Sequence, residues 1–412
     1  MNLKLIFISL GLLLTELLTA QDQTTELSLK QVIEIARMES PDAQTARHSF
    51  RSAYWNYKYY RANYLPSLSL TSDPNLNRAI NKITMGDGSV KFVEQNLLNT
   101  DLTLNLSQNL SWTGGSFFLE TSAQRMDLFS EHKYSWQTSP IMIGYRQSLF
   151  GYNSLKWDRR IEPVRYQEAK KSYVETLELV SANAINKFFA LATAQSDYDI
   201  ASFNYANADT LYRYAQGRYN IGTITENEML QLELNRLTEE TNRMNALIEM
   251  DNCMQELRSY LGIHEDRELR VLVSPQIPDF SVNLNEALAL AYENSPDIQT
   301  MEGRKLESES AVAKARANAG LKADIYLRFG LTQTADKLPE AYRNLLDQQY
   351  VSIGISLPIL DWGRGKGQVR VARSNRDLVY TQVEQSRTDF ELNVRKLVKQ
   401  FNLQTQRVRI AA

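Results

Sequence analysis

The strongest constraint in this sequence is that it repeats itself. Residues 27–45 and 282–300, compared at an offset of 255, share Leu29/Leu284, Ala36/Ala291, Ser40/Ser295, Pro41/Pro296, Asp42/Asp297, Gln44/Gln299 and Thr45/Thr300. Arg61-Ala62-Asn63 returns at the same offset as Arg316-Ala317-Asn318. A second correspondence, at an offset of 210, sets Ile143-Gly144 to Leu149-Phe150 against Ile353-Gly354 to Ile359-Leu360. Both copies open with a capping pair, Ser28 with Gln31 and Asn283 with Glu286. Both then restart at Ser-Pro-Asp, which supplies a cap, a proline at the first helical position and an acid in the first turn. Each unit reads as short helix, helix, strands, long helix. A period this long means a duplicated domain and excludes a solenoid of small repeats.

Composition removes several classes. Lys+Arg 46 against Asp+Glu 48 gives a net charge of −2, so no basic field suits nucleic acid. The single cysteine, Cys253, excludes a disulfide framework and a Cys-based zinc site. Its neighbours Met250, Met254 and Leu257 read it as a small packed residue. Three scattered histidines, His48, His132 and His264, offer little for a metal centre. A mean hydropathy of −0.40 excludes a polytopic helical membrane protein. It leaves a β-barrel open, because barrel strands alternate and hardly register in hydropathy.

The chain begins like an exported one. Lys4 precedes an apolar run from Leu5 to Leu18, and Thr19-Ala20 precede the polar Gln21-Asp22-Gln23. That is the charged, apolar and cleavage pattern of a secretory signal over residues 1–20. The apolar run is too short to span a bilayer, which takes about 20 residues. No cysteine follows for lipid attachment.

Between the helices of each copy the hydrophobic period changes from 3.6 to 2. Leu102, Leu104 and Leu106 alternate with residues that are mostly small or polar, as do Ile141, Ile143 and Tyr145 with Met142, Gly144 and Arg146. So do Ile325, Leu327, Phe329 and Leu331, and so do Val351, Ile353, Ile355, Leu357 and Ile359. A soluble sandwich and a lipid-facing barrel both produce this pattern. Aromatic residues at the strand borders favour the membrane. Tyr54, Trp55, Tyr57, Tyr59, Tyr60 and Tyr64 crowd the first border. Phe150, Tyr152 and Trp157 stand at the second, and Trp362 at the last. Tyr64, Phe150, Tyr152, Trp157 and Trp362 are therefore the candidate membrane-interface residues. Strands are expected at 67–71, 99–112, 116–126 and 139–150 in copy one, turning at Thr113-Gly114-Gly115, with long loops 73–98 and 129–138. Copy two is expected to add two strands within 324–360. An extracellular flap beside only two barrel strands per copy fits the same pattern.

The helices are too long for a globule. Residues 155–217 contain no strong breaker after Pro163, about 94 Å of helix at about 1.5 Å per residue. A returning helix over 225–261 adds about 54 Å, and residues 41–64 add about 36 Å. Leu230, Leu234, Leu237, Thr241, Met244 and Ile248 recur at 4-3-4-3-4, the spacing of a coiled-coil seam. The fold class is thus mixed α and β, with barrel strands and coiled-coil helices in two tandem repeats. The first repeat is 21–281: helices 29–64, strands 67–150, long helix 155–217, tip 218–224 and returning helix 225–261. The second is 282–412: helices 284–319, strands 324–360 and long helix 366–411.

The order of these elements resembles TolC-like outer-membrane efflux proteins. So do the duplicated Ser-Pro-Asp leader, Leu65-Pro66 entering a strand, Ser356-Leu357-Pro358-Ile359 leaving one, and Arg218-Tyr219-Asn220-Ile221-Gly222 ending the long helix. The resemblance covers the chain from about Leu27 to its end. It implies three copies building one barrel in the outer membrane, continued by a helical tunnel through the periplasm of a Gram-negative bacterium. It also implies a periplasmic adaptor (membrane fusion) protein and, through it, an inner-membrane pump. Function would be that of the passive channel of a tripartite efflux or type I secretion system. On that resemblance Asn220, Ile221, Gly222 and Thr223 form the tip that docks to the adaptor. A glycine there also has a local reason, since it closes a helix in the left-handed conformation.

No catalytic constellation, cofactor site or metal site is read from the sequence, and no enzyme is expected. Gly363-Arg364-Gly365-Lys366-Gly367 lacks the G-x-x-x-x-G-K-[ST] spacing of a phosphate loop and is expected to be a turn. After its last strand copy one continues for 131 residues and copy two for 52, about 79 fewer. The family's second returning helix, and the acidic gate on it, are therefore expected to be missing from this sequence. An alternative is a truncated or degenerate binding or structural component that closes no tunnel.

Overall fold

The computed structural model describes residues 25–264, 268–274 and 280–411, so the leader over 1–20 lies outside the described residues. Two compact units form. One takes the chain up to Arg51, Lys170–Val282 and the residues from Phe401. The other takes Ser52–Ala169 and Asn283–Gln400.

In the first unit β1 (Thr25–Ser28) pairs in parallel with β7 (Leu269–Leu272). Helix α1 (Leu29–Glu39) starts at Ser28, whose hydroxyl and the Gln31 side chain make a reciprocal capping box. Helix α2 (Pro41–Ala62) follows after the single residue Ser40, which is fully buried with its Oγ accepting from the Ala43 N–H at 3.1 Å. The proline costs α2 nothing, because a first-turn N–H has no helical partner.

The long helix α3 (Ser154–Asn220) keeps Pro163 in its interior and passes through both units. Helix α4 (Glu226–Leu261) returns against it, opened by a Thr225–Glu228 capping box and closed by Gly262 at φ 74°. Gly262 N–H reaches the Ser259 carbonyl and Ile263 N–H the Arg258 carbonyl, both at 3.1 Å. These two bonds satisfy the last orphan carbonyls of the helix.

The apolar core of this unit gathers Leu27, Val32 and Ala36 with Val180, Ala184, Phe188 and Leu191 of α3. Ala43 of α2, Leu257 and Leu261 of α4, and Leu269 and Val271 of β7 complete it. Farther along, α3 and α4 are joined by stacking instead. The Arg243 guanidinium lies 4.4 Å from the Tyr205 ring centre and that of Arg236 lies 5.5 Å from Tyr212.

The second unit holds one antiparallel sheet. Its strands are β2 (Ser67–Thr71), β3 (Asn75–Thr84), β4 (Val90–Asn109), β5 (Ser116–Leu128), β6 (Lys133–Leu149), β8 (Lys322–Ala335) and β9 (Leu346–Ser356). The order is β2-β4-β5-β6-β8-β9, and β3 pairs with the outer half of β4. Strands from both copies therefore share one sheet, with β6 and β8 as the joint. The same unit takes in parts of α2 and α3, helix α5 (Leu284–Asn294), helix α6 (Pro296–Ala319) and much of α7 (Arg364–Ala411). Polar ties hold these helices. Arg165 pairs with Glu162 and Glu307, the Thr300 hydroxyl donates to Glu168 at 2.8 Å, and the Tyr380 hydroxyl donates to Glu309 at 2.7 Å.

Three strand boundaries differ from the sequence expectation. Residues 73–98 are not a long loop. Most of them form the ladder between β3 and the start of β4, turning at Met85–Ser89 around Gly88 at φ 79°. Asn and Lys dilute the alternation there and hide the period. Residues 129–138 are likewise mostly strand, because β6 already begins at Lys133. The last strand stops at Ser356 rather than 360, since Pro358 has no N–H for a ladder.

The core leads to a stability prediction. Phe188 is 1 % exposed, and Phe188→Ala should cost about 3–5 kcal/mol. The helical signal of the purified protein in detergent should then lose its denaturant midpoint cooperatively at a lower concentration. An unchanged midpoint would show that this cluster does not hold the unit together.

Candidate functional site: the two-faced sheet and the helix-hairpin tip

The sheet presents two chemically opposite faces, and the ladder registers assign each side chain to one of them. Leu68 and Leu70 of β2 share a face with Leu102, Leu104 and Leu106 of β4 and with Phe117 and Leu119 of β5. The same face continues through Ile141 and Ile143 of β6, Leu327 and Phe329 of β8, and Val351, Ile353 and Ile355 of β9. Apart from half-buried Leu327, its named side chains are open, from 38 % at Leu104 to 71 % at Ile355. In water such a continuous apolar patch would be a severe liability; in hydrocarbon it is what a barrel exterior requires.

Aromatic residues bound this belt at both ends. At one end the Phe117 and Tyr145 rings meet at 4.7 Å, and the Tyr145 hydroxyl donates to Gln147 Oε1 at 2.7 Å. At the other end the Arg125 guanidinium lies 4.9 Å from the Tyr134 ring and 5.7 Å from the Trp136 ring, and pairs with Asp127 at 2.6 Å. Phe117 and Arg125 are eight residues apart on β5, about 27 Å at about 3.4 Å per residue. The apolar band of an outer-membrane barrel is about 25 Å tall.

Sequence reading missed Tyr134 and Trp136 for a definite reason. The ladder slips at Ser139–Pro140, so two residues of β6 stand opposite one of its neighbours. A bulge of this kind exchanges the two faces beyond it. Even-numbered residues before the bulge therefore join odd-numbered ones after it on the apolar side.

The opposite face is small and polar: Ser67, Ser69 and Thr71, then Thr103, Asn105 and Ser107, with Glu120, Arg146 and Arg328. Arg328 reaches across β6 to Glu120 at 3.2 Å. Met142, paired with Glu120 on one side and Gly330 on the other, lies in the same row and is fully buried. Phe118 lies over Gly144, where an added Cβ would come within 2.0 Å of its ring. Its ring stacks on Tyr326 at 5.8 Å. Glycines on β6 and β8 thus make room for large side chains to lie flat along this face.

The five border aromatics expected from sequence divide into two groups. Tyr64 donates to the Leu155 carbonyl at 2.7 Å, and burial with a bond to Tyr60 pushes its phenol further up. Tyr152 bonds Ser310 at 2.6 Å, and Trp157 carries the Arg160 guanidinium 4.8 Å from its ring. These three brace the helices. Phe150 and Trp362 instead stand open at 66 % and 90 %, each at positive φ where a strand turns into a helix. The tyrosines crowding α2 stack on one another and on Tyr166, with Tyr57 and Tyr166 parallel at 4.5 Å.

The glycine-rich segment after β9 is a helix start, not an anion cradle. Asp361 accepts from the Gly365 N–H at 2.8 Å and from the Gly363 N–H at 2.9 Å, and these bonds hold its carboxyl below the usual range. Among the described residues no group of His, Cys, Asp and Glu could hold a metal ion.

The tip lies between α3 and α4. Asn220 ends α3, and Gly222 takes φ 77°. The Gly222 N–H donates to the Tyr219 carbonyl and the Thr223 N–H to the Arg218 carbonyl, both at 2.9 Å. This pair of hydrogen bonds closes the helix and leaves Ile221 75 % exposed, with nothing near a Cβ placed on Gly222. On the other side Glu228 accepts from the Thr225 N–H, which lowers its pKa. That cap is therefore complete at neutral pH and is lost as pH falls through the depressed value. Tip and seam expose apolar residues alike: Leu234 is 66 % and Ile248 60 % exposed.

A sheet with one lipid-compatible face, in a chain that also builds very long helices, points to the class of β-barrel membrane proteins. Among the described residues no helix is long and apolar enough to cross a membrane. Comparison with known proteins agrees with this class. The chain matches the family described as outer membrane efflux protein over residues 32–263. It is 21% identical over 362 residues to the multidrug resistance outer membrane protein MdtQ of Escherichia coli O6:H1, spanning 86% of this chain and 74% of that one.

Its fold matches the Campylobacter jejuni CmeC outer membrane channel with a TM-score of 0.62 at 15% identity, over 88% of this chain and 68% of that one. The Vibrio cholerae outer membrane protein VceC matches with 0.57 at 14%, over 87% and 75%. The chain belongs to the outer membrane efflux protein family. It is an outer-membrane protein with its helical part in the periplasm, from a family of efflux channels rather than enzymes.

The apolar belt yields a paired test. Ile353→Arg, on the lipid side, should destabilise the inserted protein by about 2–4 kcal/mol. Ser352→Arg, one residue away on the polar side, should leave insertion intact. Urea titration of protein folded into vesicles reads both, and equal effects would contradict the assignment of faces.

Proposed function

We propose that this chain is the outer-membrane channel subunit of a tripartite efflux system, acting as three copies that enclose one passive conduit. A type I secretion system would use the same conduit. The observation that carries this reading is the open sheet: one face suits lipid, the other suits water, and the outer edges of its end strands β2 and β9 are unpaired among the described residues. One copy therefore cannot complete a pore, and several copies can.

The exposed Leu230, Leu234, Leu237, Met244 and Ile248 on α4 supply a matching surface on the helices. In this reading the first repeat, 21–281, carries the helical hairpin, and the second, 282–412, completes the barrel and its descending helix. The tip, Asn220, Ile221, Gly222 and Thr223, meets a periplasmic adaptor protein, which couples the conduit to an inner-membrane pump. Open Phe150 and Trp362 sit at the membrane interface, with Tyr64, Tyr152 and Trp157 bracing the same level. The conduit takes what the pump delivers, so substrate choice rests with the pump.

Ile221→Asp tests the tip. It places a charge on an exposed residue outside every packed cluster, so folding and membrane insertion should be unchanged. Cells lacking the native gene and carrying this variant should extrude a fluorescent efflux substrate at least about tenfold more slowly, a loss of about 1.4 kcal/mol in coupling. Efflux at the unmodified rate, with equal protein in the outer membrane, would remove the tip from the docking role.

A further inference from the structure

Helices α2 and α3 enclose a cleft of about 410 Å³, within the range of about 300–1,000 Å³ that small-molecule sites occupy. Helix α2 ends five residues before β2 begins, and α3 starts five residues after β6 ends. The cleft therefore opens within about two helical turns of the sheet. Four tyrosines line it: Tyr57, Tyr59 and Tyr60 from α2 and Tyr166 from α3. Tyr57 and Tyr60 are three residues apart on one helical face, with ring centres 5.6 Å from each other. Tyr57 stacks flat on Tyr166 at 4.5 Å, and Tyr59 is 72 % exposed.

The charges in the cleft are unbalanced. Arg165 commits its guanidinium to Glu162 at 2.6 Å and, through Nε, to Glu307 at 3.1 Å. Asp158 lines the same cleft and has no hydrogen bond or ion pair among the described residues. Burial raises its carboxyl above the usual carboxylate range, and Arg165 offsets only part of that. Nearby cations are engaged elsewhere: Lys58 lies over the Tyr54 ring at 5.5 Å, and Arg160 pairs with Glu309 at 3.7 Å. One half-buried carboxylate is thus left beside four aromatic rings without a cation of its own.

The geometry points to a binding site for an organic ammonium ion, held between the tyrosine rings and the Asp158 carboxylate. An alkylated ammonium is weakly hydrated and is attracted by aromatic faces, which attract no anion. The carboxylate supplies the opposite charge and repels anions too. A bare metal ion would meet rings where it needs oxygen ligands. Two sources carry this chemistry: a soluble organic cation in the periplasm, and the ethanolamine headgroup of a lipid in the leaflet nearest the helices. The cleft lies within one unit of one chain, so the site stands independently of the channel reading.

The test uses the full chain in neutral detergent micelles and a dansyl-labelled trimethylammonium as probe, read by fluorescence anisotropy. The same dansyl group carrying an alcohol in place of the ammonium is the neutral control. The cation should bind saturably and the alcohol should not. Asp158→Asn should weaken binding at least about tenfold, and Tyr59→Leu about threefold. Asp158→Asn removes an unpaired charge and Tyr59 is open, so both variants should keep the denaturant midpoint of the parent. Asp336→Asn, an exposed aspartate on the β8–β9 connection, makes the same change in net charge and should bind as the parent does.

Displacement of the probe by phosphatidylethanolamine added to the micelles, but not by phosphatidylglycerol, supports the site with a lipid headgroup as its occupant. Saturable binding that neither lipid displaces supports the site with a soluble cation. Binding unchanged by Asp158→Asn, or lowered equally by Asp336→Asn, overturns it. Equal binding of the neutral alcohol overturns it as well.

Discussion

Everything in the sheet-bearing unit depends on one requirement: a strand in hydrocarbon must have both edges paired and one face apolar. Water is absent there, so each unpaired N–H or C=O costs several kcal/mol. Inside the chain the ladders from β2 to β9 meet that demand. The faces meet the other half, with leucine, isoleucine and valine outward and serine, threonine, asparagine and glycine inward. The same requirement explains why the aromatic pairs Phe117–Tyr145 and Tyr134–Trp136 stand where they do. Each puts an amphipathic ring where an apolar belt meets polar neighbours such as Gln147 or Arg125.

The helices follow a different economy. Only one end of the α3–α4 pair buries a true apolar cluster, around Phe188, Leu191, Leu257 and Leu261. Elsewhere the helices are joined by Arg–Tyr stacking, ion pairs and hydroxyl bonds, and the regular leucine spacing of α4 faces outward. Helices so long and so sparsely packed gain little from their own chain. Their order comes from capping and from the two glycine closures at Gly222 and Gly262.

Much of this was legible in the residues. The capping box at Ser28, the proline restart at Pro41 and the glycine closure at Gly222 are local, and local chemistry decides them. The outward leucines of β4 and isoleucines of β9 were readable because the alternation is clean. Legibility failed where tertiary context intervenes. The bulge at Ser139–Pro140 reverses the faces of β6, which concealed Tyr134 and Trp136 as border residues. The β3 ladder was concealed because its apolar residues, Leu76 and Ile80, are separated by Arg78 and flanked by Asn and Lys. The hydroxyl partners of Tyr64 and Tyr152, Leu155 and Ser310, lie 91 and 158 residues away and were not readable either.

The most direct measurement is a spin-label scan along β9, placing a nitroxide in turn at each residue from Gln349 to Ser356 in protein reconstituted into vesicles. Collision with oxygen, which concentrates in lipid, and with a water-soluble nickel complex reports the surroundings of each label. A strand in the wall of a membrane pore predicts alternation at every second residue, with Val351, Ile353 and Ile355 favouring oxygen and Tyr350, Ser352 and Gly354 favouring nickel. Nickel access at all eight positions would contradict it, and would mean that the apolar face of the sheet is not in the membrane.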